Sequence, residues 1–212
     1  MSLFSMFFFV SLYMQQVLHF SALKAGVSYL PLAVTIILSA GAASAGVTRF
    51  GFKPVLLSGL LFIAGGLFWF SKVPATGGTF AADVLGPSLL AAVGLGLSFV
   101  PVTIAAVSGT RPHEAGLASG LVNTAQQIGG ALGLAILATV ANSRTKSILH
   151  GGGHDTAFAL TKGFERAFLV GSGFAVVGAI LTILMISSRD SRAHSTEARE
   201  SQAAPETSPV SA

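Results

Sequence analysis

The chain has 212 residues, the length of one or two ordinary domains, yet 52% of them are hydrophobic, 9% are charged, and the mean hydropathy is +0.75. Soluble proteins carry roughly 25% charged residues, so this composition excludes a water-soluble globular domain and points to an integral membrane protein. The formal net charge of +4 comes from Lys and Arg scattered singly along the sequence, which excludes a basic nucleic-acid-binding cluster, and the absence of Cys excludes disulfide scaffolds, Cys-based zinc sites and thiol nucleophiles.

A membrane-crossing helix needs about 20 mainly apolar residues. Six stretches qualify, at about 1–18, 25–47, 54–71, 84–108, 115–140 and 167–187. They are continuously apolar rather than alternating, so they predict helices and not barrel strands; in hydrocarbon a helix satisfies its own backbone. The expected fold class is an all-α integral membrane protein with six transmembrane helices, residues 1–187 forming one bundle. The first stretch has neither the basic start nor the small-residue cleavage site of a signal peptide, and it reads as the continuation of a longer chain. It ends at Gln15 and Gln16, either at the membrane interface or on a cavity wall. A short connection with Arg49, Gly51 and Lys53 joins the second stretch to the third.

Asp83 reads as a cap on the fourth stretch, which carries Gly94, Gly96 and Pro101. Pro101 has no amide proton and predicts a bend, either a fixed one or a hinge. Thr110, Pro112 and Glu114 form a start signal for the fifth helix, with Arg111 among them. The region 142–166, with Gly151, Gly152, Gly153 and most of the loop charge, reads as the longest connection. Residues 188–212, rich in Ser, Ala, Glu, Arg and Pro, read as a disordered polar tail.

Polar groups inside a membrane bundle carry the most information about function. Asn123, Gln126 and Gln127 fall at i, i+3 and i+4, on one face of the fifth helix. That face either contacts a substrate or hydrogen-bonds neighbouring helices, the latter worth about 0.6–2 kcal/mol per bond. On the same helix Gly116 and Gly120, and Gly129 and Gly133 beside Gly130, have small-xxx-small spacing that lets backbones approach, for static packing or for a contact that changes as the protein moves. His150 and His154 are separated by glycines and do not make a metal site. No nucleophile–base set, nucleotide loop or cofactor motif converges, so neither an enzyme nor a bound cofactor is expected. Six spans place both termini on one side with Arg49, Lys53, Arg111, Arg189, Arg192 and Arg199, and leave Lys24, Lys72, Arg144, Lys146, Lys162 and Arg166 on the other. Six against six gives no orientation by the positive-inside rule.

Four stretches, in order, resemble the carboxyl-terminal half of a major facilitator superfamily transporter of the 14-helix drug:proton antiporter type. They are YMQQVLHFSALKAG from Tyr13 to Gly26, RFGFKP from Arg49 to Pro54, GLGLSFVP from Gly94 to Pro101, and EAGLASGLVNTAQQIGGALG from Glu114 to Gly133. Two positions depart from the family pattern: Gln126 stands where many members have Arg, and Thr48 where an Asp usually accompanies the loop Arg. The resemblance implies a multi-pass protein of the cell membrane that exports a small amphipathic compound by proton-driven alternating access. In it, Gln15, Asn123, Gln126 and Gln127 line the cavity, and the glycines and Pro101 pack helices or act as hinges. Arg49, Lys53 and Arg111 lie in cytoplasmic loops. It also implies that the proton-linked carboxylates belong to an amino-terminal half, which agrees with the lack of acidic residues inside the six apolar stretches. Transport would then need that half or a second copy of the chain. The reading from another class is a truncated or noncatalytic membrane interaction protein without autonomous transport.

Overall fold

The computed structural model describes residues 2–74, 80–107, 114–151 and 155–186. The expected tail, Thr110 to Pro112 with Arg111, and His154 lie outside them. The described residues form helices α1 (Ser2–Gln16), α2 (Ala22–Val27), α3 (Leu30–Phe50), α4 (Phe52–Phe70), α5 (Gly86–Val107), α6 (Ala115–His150) and α7 (Thr156–Met185), with a π-helical turn at Phe80–Leu85 leading into α5. The chain is an all-α, multi-pass membrane protein: five segments are long and apolar enough to cross a bilayer, α2 and α3 together making one of them, and the 15-residue α1 packs beside them.

Local chemistry sets the helix ends. Ser21 caps α2 by accepting a hydrogen bond from the Lys24 amide, and Pro31 occupies the first turn of α3, where a missing amide proton does no harm. The turn from α3 to α4 passes through Gly51 alone, at φ 84°, a left-handed backbone that glycine adopts without strain. Helix α5 runs through Pro101, which leaves the Leu97 carbonyl without its usual helical donor.

Helix α5 packs on α3 and α4, α4 packs on α7, and α7 on α6. Two of these crossings depend on glycine. A Cβ added at Gly94 would sit 2.6 Å from the Gly59 carbonyl oxygen and 2.6 Å from the Ile63 nitrogen, so α4 and α5 meet backbone to backbone. A Cβ at Gly96 would meet the Ile36 carbonyl oxygen at 2.7 Å, which brings α5 equally close to α3. Both glycines therefore serve close helix packing. The larger side chains gather between α1, α4 and α7, where Phe70 and Phe168 stack at 4.9 Å and Phe9 meets Phe164 at 5.6 Å. There Ser172 donates to the Ala64 carbonyl oxygen at 2.8 Å, joining α7 to α4.

The structure corrects the reading of 142–166 as a long connection. Helix α6 continues to His150 and α7 begins at Thr156, so most of that region is a helical hairpin turning at Gly151. Hydropathy marks the part of a helix that lies in hydrocarbon, whereas a helix emerging from the membrane carries charge freely. The hairpin closes because Gly163 lets α7 pack onto the Ala141 carbonyl and the Thr145 hydroxyl, while Ala159, Thr161 and Phe164 are buried.

Candidate functional site: the outward flank of α6

Helices α3 and α6 are the least covered by the rest of the chain. Of their apolar windows 17% and 22% are buried, against 44% for α4 and 39% for α5. On α3 the uncovered face is aliphatic, with Leu30, Val34, Ile37 and Leu38 exposed. The uncovered face of α6 is mixed. Asn123, Gln126 and Gln127 are all exposed on it, between the exposed side chains of Leu117, Leu121, Ile128 and Leu132. None of the three amides makes a side-chain hydrogen bond with a described residue, so the interhelical bonds considered for them are not made among the described helices. Gly116, Gly120, Asn123 and Gln127 follow one another at four- and three-residue steps along this flank. A Cβ at Gly116 or Gly120 would meet nothing within 4 Å, so their small size is unused by the helices present.

The cavity between Val10, Tyr13, Phe70 and Phe168 is about 10 Å³, room for a single water.

The other sequence candidates fall in different places. Gln15 is exposed at the end of α1, bonded to Ser11 of its own helix at 2.9 Å, and is not brought next to the α6 amides by any described contact between them. Gly130 and Gly133 are buried and Gly129 is half-buried, so the second glycine pair faces the bundle while the first faces away. Arg49 is exposed in the last turn of α3. Lys53 is not a loop residue: it lies in the first turn of α4, and its Nζ donates to the carbonyl oxygens of Ile183 at 3.0 Å and Ile186 at 2.6 Å. It thus closes the end of α7, where unpaired carbonyls and the helix dipole favour a cation. Sequence reading missed this contact because it joins residues 130 and 133 positions apart. It also missed Gly59, Gly66 and Gly163, of which the first two carry a seven-residue repeat along α4 that was available as a signal. His150 ends α6 and faces the Lys146 carbonyl oxygen at 2.9 Å, and no group of metal-ligating side chains forms among the described residues.

Comparison with known proteins agrees with this architecture. Residues 1–134 match the Major Facilitator Superfamily. The chain is 32% identical to the puromycin resistance protein of Streptomyces alboniger over 92% of its own length and 40% of that protein's. It is 36% identical to the cephamycin export protein of Amycolatopsis lactamdurans over 65% of its length and 28% of the relative's. To a multidrug resistance protein B homolog of Mycobacterium tuberculosis it is 35% identical, over 66% and 26%. The chain therefore spans less than half the length of the curated relatives it matches.

Proposed function

Because the chain belongs to the Major Facilitator Superfamily, we propose that it forms one six-helix bundle of a proton-coupled exporter of small amphipathic compounds, working by alternating access in the cell membrane. The outward flank of α6 is then one wall of the translocation cavity. The opposite wall belongs to a second bundle, which is either an amino-terminal half or another copy of this chain. One observation carries the reading. Asn123, Gln126 and Gln127 project from a membrane-crossing helix toward none of the described helices, with their amides unpaired. Three amides turned to hydrocarbon are disfavoured by several kcal/mol, whereas a wet cavity or a facing bundle satisfies them. The resistance and export activities in the relatives' names support the substrate class.

Two features support this division of roles. The apolar runs contain no Asp or Glu, so the proton-binding carboxylates fall to the second bundle. Gly116 and Gly120, with open space around them, give that bundle a place to approach closely.

The test is accumulation of a fluorescent cationic dye in cells expressing this chain alone, with an amino-terminal bundle, or neither. Accumulation should fall only when two bundles are present. With both present, Gln126→Leu should change which compounds are exported while the amount of inserted protein stays the same. If Gln126→Leu alters yield and leaves the export profile untouched, the cavity assignment fails. If no pairing lowers accumulation of any compound in a panel, the chain is a membrane interaction protein instead.

A further inference from the structure

The sequence scatters its cations singly, but the fold gathers four of them. At the end of the bundle away from Arg49, the turn that follows α4, at Ser71 and Lys72, and the α6–α7 hairpin enclose a cleft of about 460 Å³. Lys72, Arg144, Lys162 and Arg166 line it, with Glu165 as its one acidic group. The Lys162 ammonium is already held by Glu165, at 2.8 and 2.9 Å from the two carboxylate oxygens. The other three cations have no acid. The Arg144 and Arg166 side chains make no hydrogen bond or ion pair with a described residue, and the Lys72 ammonium only lies over the Phe68 ring at 5.5 Å. The cleft is a concave site with surplus positive charge and two guanidiniums free to fork onto oxygen pairs.

Its depth in the membrane is marked independently. Trp69, the chain's single Trp, is half exposed three residues before Lys72, and Phe68 beside it is also half exposed. Trp side chains, apolar with one polar N–H, concentrate at headgroup level. Arg144 stands about one turn beyond the apolar run of α6, and Arg166 just before that of α7. Cations of α6, of α7 and of the turn after α4 therefore meet where hydrocarbon gives way to headgroups, and Leu169, exposed in the same wall, continues toward the acyl region.

We propose that this cleft binds a phosphate-bearing anion supplied by the membrane itself, the headgroup of an acidic phospholipid. Its phosphate sits between Arg144, Arg166 and Lys72, and its acyl chains run down beside Leu169. The site is independent of the transport cavity, and the extended α6–α7 hairpin creates it.

Thermal unfolding of the 212-residue chain in a neutral detergent tests this, with added cardiolipin, phosphatidylcholine or inorganic phosphate. Cardiolipin should raise the melting temperature saturably, and phosphatidylcholine should not. The double variant Arg144→Gln/Arg166→Gln should raise the half-saturating cardiolipin concentration about 30-fold, as expected for losing two cations near an anionic surface. Arg144→Lys/Arg166→Lys should keep most of the response, which separates charge from any folding defect. Lys24→Gln, on α2 and outside the cleft, should keep all of it. An equal rise with phosphatidylcholine, or an unchanged response in the double Gln variant, overturns the proposal. An equal rise with inorganic phosphate at the same concentrations overturns the lipid source and assigns the cleft to a soluble anion.

Discussion

Helices α4 and α6 are both rich in glycine and both cross the membrane, but they use glycine differently. On α4, Gly59 and Gly66 are filled from outside: a Cβ at Gly66 would lie 2.8 Å from the Ala91 nitrogen, and one at Gly59 2.9 Å from the Gly94 carbonyl oxygen. On the first half of α6, Gly116 and Gly120 face open space, beside amides with no partner among the described residues. The contrast separates two uses of one residue type. A glycine whose missing Cβ is occupied by a neighbour's backbone belongs to folding. A glycine with nothing near it, in a line with unpaired amides, takes no part in the packing of the described helices and is open for the contact proposed above.

The sharpest way to break that distinction is to enlarge the filled positions. Gly94→Leu should destabilise the bundle by about 3 kcal/mol, because backbone on α4 would have to move and no flexible side-chain end can yield instead. Loss of folded protein in a detergent stability assay checks it, and a variant as stable as the parent would show that the α4–α5 crossing is not close. A smaller effect is expected in the first turn of α4. Lys53→Met removes two charge-assisted bonds to the end of α7 and should lower stability by about 1–2 kcal/mol, read as a drop in unfolding midpoint. Lys53→Arg, with an equally long cationic side chain, should recover part of it. Smaller again is Ser172→Ala, expected to lose about 0.6 kcal/mol, since the Ala64 carbonyl it touches lies inside α4.

How much of this was legible follows the same contrast. An all-helical membrane bundle was readable because hydropathy depends on composition over about 20 residues and needs no knowledge of neighbours. Gly94 and Gly96 were readable as packing positions because they sit two apart before Pro101. The partners were not: that Gly94 meets α4 while Gly96 meets α3 depends on how three helices lie together. The hairpin was misread for a physical reason. From 142 to 166 the charges of Arg144, Lys146, Lys162 and Glu165 lower the hydropathy, yet each is compatible with a helix in water or headgroups, and the buried positions Thr145, Ala159, Thr161 and Phe164 needed a partner helix to become visible. The site residues divide likewise. The Asn123, Gln126 and Gln127 face was readable from spacing alone, whereas its direction, away from the other described helices, was not. The role of Lys53 was hidden because its acceptors lie at the far end of the sequence.

The smallest expected effect on stability is the most informative about function. Gly120→Leu adds a large side chain where a Cβ would meet nothing within 4 Å, so the chain alone should unfold within about 0.5 kcal/mol of the parent. If α6 presents this flank to a second bundle, the added volume occupies the space that bundle would use, and export by the assembled pair should fall although each part folds normally. Gly94→Leu should behave oppositely, losing the fold and the activity together. The pair of variants therefore reads the two surfaces separately, through unfolding midpoint and dye accumulation. A Gly120→Leu protein that is both stable and fully active with its second bundle would mean that the open flank faces lipid. Asn123, Gln126 and Gln127 would then need another explanation, and Gln126→Leu, which removes an amide from hydrocarbon, should in that case raise stability instead of shifting the export profile.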